Sequence, residues 1–140
     1  MPDIHMTVSF EWYPWTRWMD LIPFVRYPTR GPLPSRAGIY EVRDTKDGID
    51  SERLLLLSAS SKLTRLYSDL FAGPGEEQVR RRSLGSALRE TVEGDLSRLQ
   101  VRWAEVEWAY SFAVEWTLLQ EYVQQFGQPP SLNALLPTTR

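Results

Sequence analysis

Apolar positions recur at helical spacing most clearly late in the chain, over residues 107–126. On a helix turning about 100° per residue, Trp108, Phe112, Leu119, Tyr122 and Phe126 fall on one stripe. Glu115 lies in the middle of that stripe, while Glu107 and Glu121 point toward water. Acidic side chains are seldom buried unless paired or bound to a metal. Glu115 therefore has two readings. It reaches an Arg at the core edge or a backbone group, or it is a site residue such as a divalent-metal ligand.

The rest of the pattern predicts short elements. Residues 6–12 alternate loosely and read as an edge strand. A proline- and aromatic-rich arm follows, with Thr16 placed to cap a short helix through Leu21 that Pro23 ends. Its Trp12, Trp15 and Trp18 either cover the core or stack on bases. Gly38 to Arg43 reads as a strand with Tyr40 and Val42 on one face, and Asp47-Gly48 is a hairpin signal. Glu52 to Ser58 reads as a second strand. Its unbroken Leu54–Leu57 run predicts a central position covered on both sides. Ser60 and Ser61 are placed to cap a helix through Phe71, with Leu63, Leu66 and Leu70 on its apolar side.

Residues 78–99 read as a broken helix with Gly85 and Gly94 as weak points. Residues 99–106 alternate cleanly, with Leu99, Val101 and Trp103 inward and Gln100 and Arg102 outward. Gly127 is expected to end the last helix. The order β-β-α-α-β-α predicts an α/β (α+β) fold, a small three-stranded, mainly antiparallel sheet flanked by helices. Residues 1–35 form an arm packed on a domain of residues 36–140.

Composition narrows the chemistry. The 140 residues suit one domain, and 42% hydrophobic content with six Trp is enough for a core. With no Cys, thiol chemistry and disulfides are excluded, and the single His5 argues against His-based metal sites or a Ser-His triad. No apolar run is long enough for a membrane span, and the first residues lack the features of a signal peptide, so a cytoplasmic location without membrane contact is expected. The net charge of −2 argues against broad nucleic-acid binding. The charge is uneven, however. Residues 60–90 have a balance of +2, through Arg80, Arg81, Arg82 and Arg89 among others, and residues 91–140 one of −3.

Several of these stretches come in a telling order. Gly38-Ile39-Tyr40 opens a strand. An apolar strand follows, then a Ser-rich turn into a helix carrying Arg65. Later come Glu115-x-x-Leu118-Leu119 and the segment Gly127-x-Pro129-Pro130-x-x-Asn133. Together they resemble a GIY-YIG nuclease domain over about residues 36–133. The resemblance implies phosphodiester hydrolysis in nucleic acid, DNA foremost, with one Mg²⁺ or Mn²⁺ held by Glu115. It further implies that Tyr40 helps activate water, Arg65 steadies the phosphate and Asn133 closes the site. Arg80–Arg82 and Arg89 would touch the substrate backbone, with Tyr67 and Ser58 as accessory groups. The second motif departs from the family: Leu56-Leu57-Ser58 stands where Tyr-Ile-Gly belongs. Arg65 also follows that motif one residue early. A metal-dependent nuclease is therefore one reading. A weak or inactive module that binds nucleic acid, or a partner protein through the Trp-rich arm, is the other. In a third, the domain is unrelated and Glu115 pairs with a structural Arg.

Overall fold

The computed structural model describes residues 8–47, 52–71 and 84–136. Among them lie four strands, β1 (Thr16–Arg17), β2 (Gly38–Asp44), β3 (Leu56–Ser60) and β4 (Leu99–Glu105), and three α-helices, α1 (Trp18–Leu21), α2 (Leu84–Thr91) and α3 (Trp108–Phe126). The sheet is antiparallel in the order β1-β4-β2-β3. The expected mixed α/β architecture is present, with four strands instead of three. The extra strand is the two-residue β1 at the far edge of β4. It replaces the expected edge strand at residues 6–12, whose described part forms no strand and packs Val8, Phe10 and Trp12 on one face of the sheet. The pairing instead starts where the Tyr13 amide donates to the Trp103 carbonyl (2.7 Å).

Alternation along the strands sends side chains to two separate cores. Tyr40, Val42, Leu56, Val101 and Trp103 face one side, where they meet Trp18, residues 63–71 and α2. Ile39 and Leu57 face the other side, under α3 and the aromatic arm. The sheet thus lies between residues 63–71 with α2 on one face and α3 on the other, and both cores draw on the N-terminal arm. Trp18 is fully buried in the first, while Trp12 and Trp15 pack on the second. Packing, the first of the two readings for these Trp residues, is where their surface goes.

Leu54, Leu56 and Leu57 are buried and Leu55 is half-buried, yet β3 ends the sheet and is not central. Coverage of both faces is what makes its sequence uniformly apolar, and an edge strand meets that condition as well as a central one. The segment 63–71 departs from a regular helix. Leu63–Arg65 is 3₁₀ and Tyr67–Phe71 is π. Neither Ser60 nor Ser61 caps its first turn. The Leu63 and Thr64 amides donate instead to the arm carbonyls of Arg36 (2.8 Å) and Pro34 (3.1 Å), so tertiary partners set the turn geometry. Residues 84–91 form the described part of the broken helix, and the chain breaks at Gly94, with φ of 82°.

Gly127 ends α3 in the left-handed region (φ 81°), as expected, with its amide on the Val123 carbonyl (2.7 Å). The stripe on α3 differs from the expected one. Ser111 and Glu115 are buried, and Tyr110, Val114, Leu118 and Tyr122 are half-buried beside them. Trp108 and Phe112 are each 40% exposed and Trp116 64%. Apolar residues ring this helix on nearly every side, so periodicity could not say which face meets the sheet.

Among the described residues no helix is long and apolar enough to cross a membrane.

Candidate functional site

Glu115 is 6% exposed and reaches the free edge of β3. Its Oε2 accepts the main-chain N–H of Ala59 and lies 3.5 Å from the Ser58 hydroxyl. Of the partners open to it on sequence, a backbone group is one that the described residues provide.

The neighbouring edge groups are met in the same way. Asn133 stands in for a missing strand: its Oδ1 accepts the Leu57 N–H and its Nδ2 donates to the Leu57 carbonyl, both at 2.9 Å. One residue earlier, the Leu132 amide donates to the Leu55 carbonyl (2.9 Å). The Tyr122 hydroxyl accepts the Leu54 amide (2.9 Å). An exposed strand edge is a template for pairing with another chain. Here α3 and the turn after it close that edge with three side chains and one main-chain amide.

Tyr40 lies opposite Ser58 across β2 and β3, which places it beside the Glu115 contact in the register. Its ring is 5% exposed and belongs to the first core. Gly38, the first residue of the same triplet, is fixed by packing. A Cβ there would fall 2.1 Å from the Ala104 carbonyl oxygen. Leu56, where the family motif has Tyr, is fully buried in the first core.

Arg65 is exposed and donates to the Ser61 hydroxyl (3.2 Å). Its charge acts on Asp69, whose pKa is nevertheless raised because burial outweighs it. No contact joins Arg65 to Tyr40 or Glu115. Tyr67 is a core residue: its hydroxyl accepts the Leu33 amide (3.3 Å), and burial pushes its pKa up. Arg89 donates to the Phe71 carbonyl (3.2 Å). Arg80, Arg81 and Arg82 lie outside the described residues.

Around Glu115 the described residues supply one carboxylate and no cluster of acidic ligands. Mg²⁺ seeks oxygen ligands with room for its retained waters. Here one buried carboxylate is engaged by an amide N–H. Among the described residues no three His, Cys, Asp or Glu side chains gather around it or elsewhere.

A second constellation escaped the sequence reading. Between the C-terminal half of α3 and the second face of the sheet lies a cleft of ≈ 410 Å³. At its floor Glu41 of β2 faces Arg102 of β4, and Arg102 Nε donates to Glu41 Oε1 at 2.6 Å. Burial raises the Glu41 pKa, and Arg102 and then Arg43 oppose that rise. The Arg102 guanidinium lies 4.3 Å from the centre of the Trp12 ring and 4.8 Å from that of Trp15, and Arg43 lies 4.0 Å from Trp15. The outward setting of Arg102 was legible in the alternation of its strand. Its partner, 61 residues earlier, was not.

Compared with family models, with curated proteins and with solved structures, the chain matches none.

Proposed function

We propose that this chain is a GIY-YIG-like domain that works by binding a partner protein through the outer face of α3, and not by cutting nucleic acid. The observation that carries this reading is the exposed row Trp108, Phe112 and Trp116, on a helix whose other face is already packed. Large apolar side chains gathered on one exposed face mark interaction surfaces.

Charge indicates the partner's chemistry. No Lys or Arg occurs between Arg102 and Arg140, and Glu105, Glu107 and Glu121 are exposed. An aromatic face on a helix that carries no Lys or Arg, in a segment of net negative charge, suits a basic amphipathic segment better than a phosphate backbone. The described arm offers less for docking. Its exposed large apolar residues are Tyr13, Met19 and Tyr27, and Tyr13 already stacks on Trp103 at 4.6 Å.

Kinship with the GIY-YIG domain is supported by Gly38-Ile39-Tyr40 opening an inner strand and by Glu115 and Asn133 meeting on β3. Loss of cleavage is supported by Leu56 in the core and by the engagement of Glu115 with the backbone.

Two assays test the reading. Supercoiled plasmid incubated with the protein and Mg²⁺ or Mn²⁺ is expected to stay intact. A synthetic Lys/Leu amphipathic helix is expected to shift the tryptophan fluorescence saturably, less so in high salt, and about tenfold more weakly with Trp116→Ser. Metal-dependent nicking that Glu115→Gln abolishes would establish the nuclease reading instead. Equal binding of a Glu/Leu helix would remove the charge argument.

A further inference from the structure

The cleft beside α3 has a floor whose charges are only half used. Glu41 is 4% exposed, yet only its Oε1 is bonded, to Arg102. Among the described residues none donates a hydrogen bond to Oε2. It is not sealed in either: among the described residues Trp18 Nε1 is the fully enclosed side-chain polar atom without a partner. Oε2 therefore opens on the cleft that Glu41 lines. Arg102 uses its Nε alone, and its two Nη groups donate to no protein acceptor. Trp12 and Trp15 hold its guanidinium in place. Beyond this floor the cleft has an apolar stretch, from Leu54, Leu57 and Leu118, and is also lined by Glu52, Glu121 and Gln125.

Buried or half-buried charged groups that lack a second partner are costly to leave unmet. This floor sets a carboxylate acceptor and a guanidinium donor side by side. An anion alone would meet the repulsion of Glu41, Glu52 and Glu121, and a cation alone would meet that of Arg102 and Arg43 at the floor. A planar base would need a ring to stack on, and the guanidinium groups of Arg43 and Arg102 already lie over the Trp15 ring. A ligand with both charges close together satisfies both groups, each through a charge-assisted hydrogen bond.

We propose that this cleft binds an α-amino acid with an apolar side chain, its ammonium on Glu41, its carboxylate near Arg102 and its side chain along Leu54, Leu57 and Leu118. The volume lies within the usual range for small-molecule sites, about 300–1,000 Å³. The site stands on another side of α3 from the exposed aromatic row, so it does not depend on partner binding there.

Isothermal titration calorimetry on the full chain tests this, with L-leucine, L-methionine and L-phenylalanine as probes. At least one is expected to bind saturably with a Kd of about 1 mM or tighter. Its N-acetyl form and its methyl ester are each expected to bind at least about tenfold more weakly, as is the free amino acid to Glu41→Gln. Leu118→Trp, which fills the cleft from the helix without touching the floor, is expected to block binding while circular dichroism stays unchanged. The proposal is overturned if none of the three amino acids binds, if the blocked forms bind equally well, or if folded Leu118→Trp binds as the parent does.

Discussion

Glu115 accepts the main-chain N–H of Ala59 at the free edge of the sheet. A carboxylate in an apolar helix face thus has a partner on a strand 56 residues earlier, and that partner is a backbone group, one of those its sequence setting allowed. Together with Asn133 and Tyr122 it closes a strand that would otherwise present open amides and carbonyls.

Asn133 is expected to be structural in the same sense. Asn133→Ala removes two hydrogen bonds to Leu57 and leaves both its backbone groups without their partner. Urea unfolding should show a loss of about 1–3 kcal/mol. The uncovered edge should also make the variant self-associate, which size-exclusion chromatography at rising concentration detects. An aspartate there keeps an acceptor but loses the donor, so Asn133→Asp should recover only part of the loss.

Gly38 is expected to tolerate no side chain. A Cβ would lie 2.1 Å from the Ala104 carbonyl oxygen and 2.8 Å from Leu63 Cδ1. The first neighbour is backbone of the adjacent strand and cannot swing away. Gly38→Ala should cost about 1–3 kcal/mol by thermal or urea unfolding. An unaffected midpoint would mean that β2 and β4 separate there at little cost.

The expected acid response follows from Asp44. Burial raises its pKa, but the Arg98 guanidinium, bonded at 2.5 and 3.0 Å, and the Lys46 amide outweigh that, and the net shift is downward. A carboxylate with a lowered folded pKa stabilises the fold fully above its ordinary value of 3.8, and that stabilisation is lost as pH falls through the folded value. Glu41 works in the opposite direction. Its raised pKa makes the charged form a burden that is relieved as pH falls toward the ordinary 4.5. Asp44→Asn should therefore be less stable than the parent at neutral pH and show a shallower decline in acid. A steeper acid decline in that variant would contradict the assignment.

How much of this was legible in the sequence depends on the distance over which each feature is decided. Glu115 stood out because a charge inside an apolar stripe is a local anomaly. Gly127 and the alternation of β4 were legible for the same reason, since one turn or one strand contains the whole signal. The partner of Glu115 was not, because it depends on which strand ends the sheet. Leu54–Leu57 reads alike whether β3 lies in the middle or at an edge covered on both faces. The orientation of α3 was hidden by its aromatic residues, which occupy nearly every side. The irregular turn at Leu63 was set by carbonyls of Arg36 and Pro34, and the Glu41–Arg102 pair by strand register. Such long-range choices leave no periodic trace.

The claim that Glu115 secures the sheet edge is tested most directly by urea unfolding of the parent, Glu115→Gln and Glu115→Ala, each in chelator and then in Mn²⁺. Glutamine retains an acceptor for the Ala59 N–H and should stay within about 1 kcal/mol of the parent, while alanine should lose about 1–3 kcal/mol. Mn²⁺ should move none of the three midpoints. A parent midpoint that Mn²⁺ raises, with no such rise in Glu115→Gln, would show Glu115 to be a metal ligand and contradict the account.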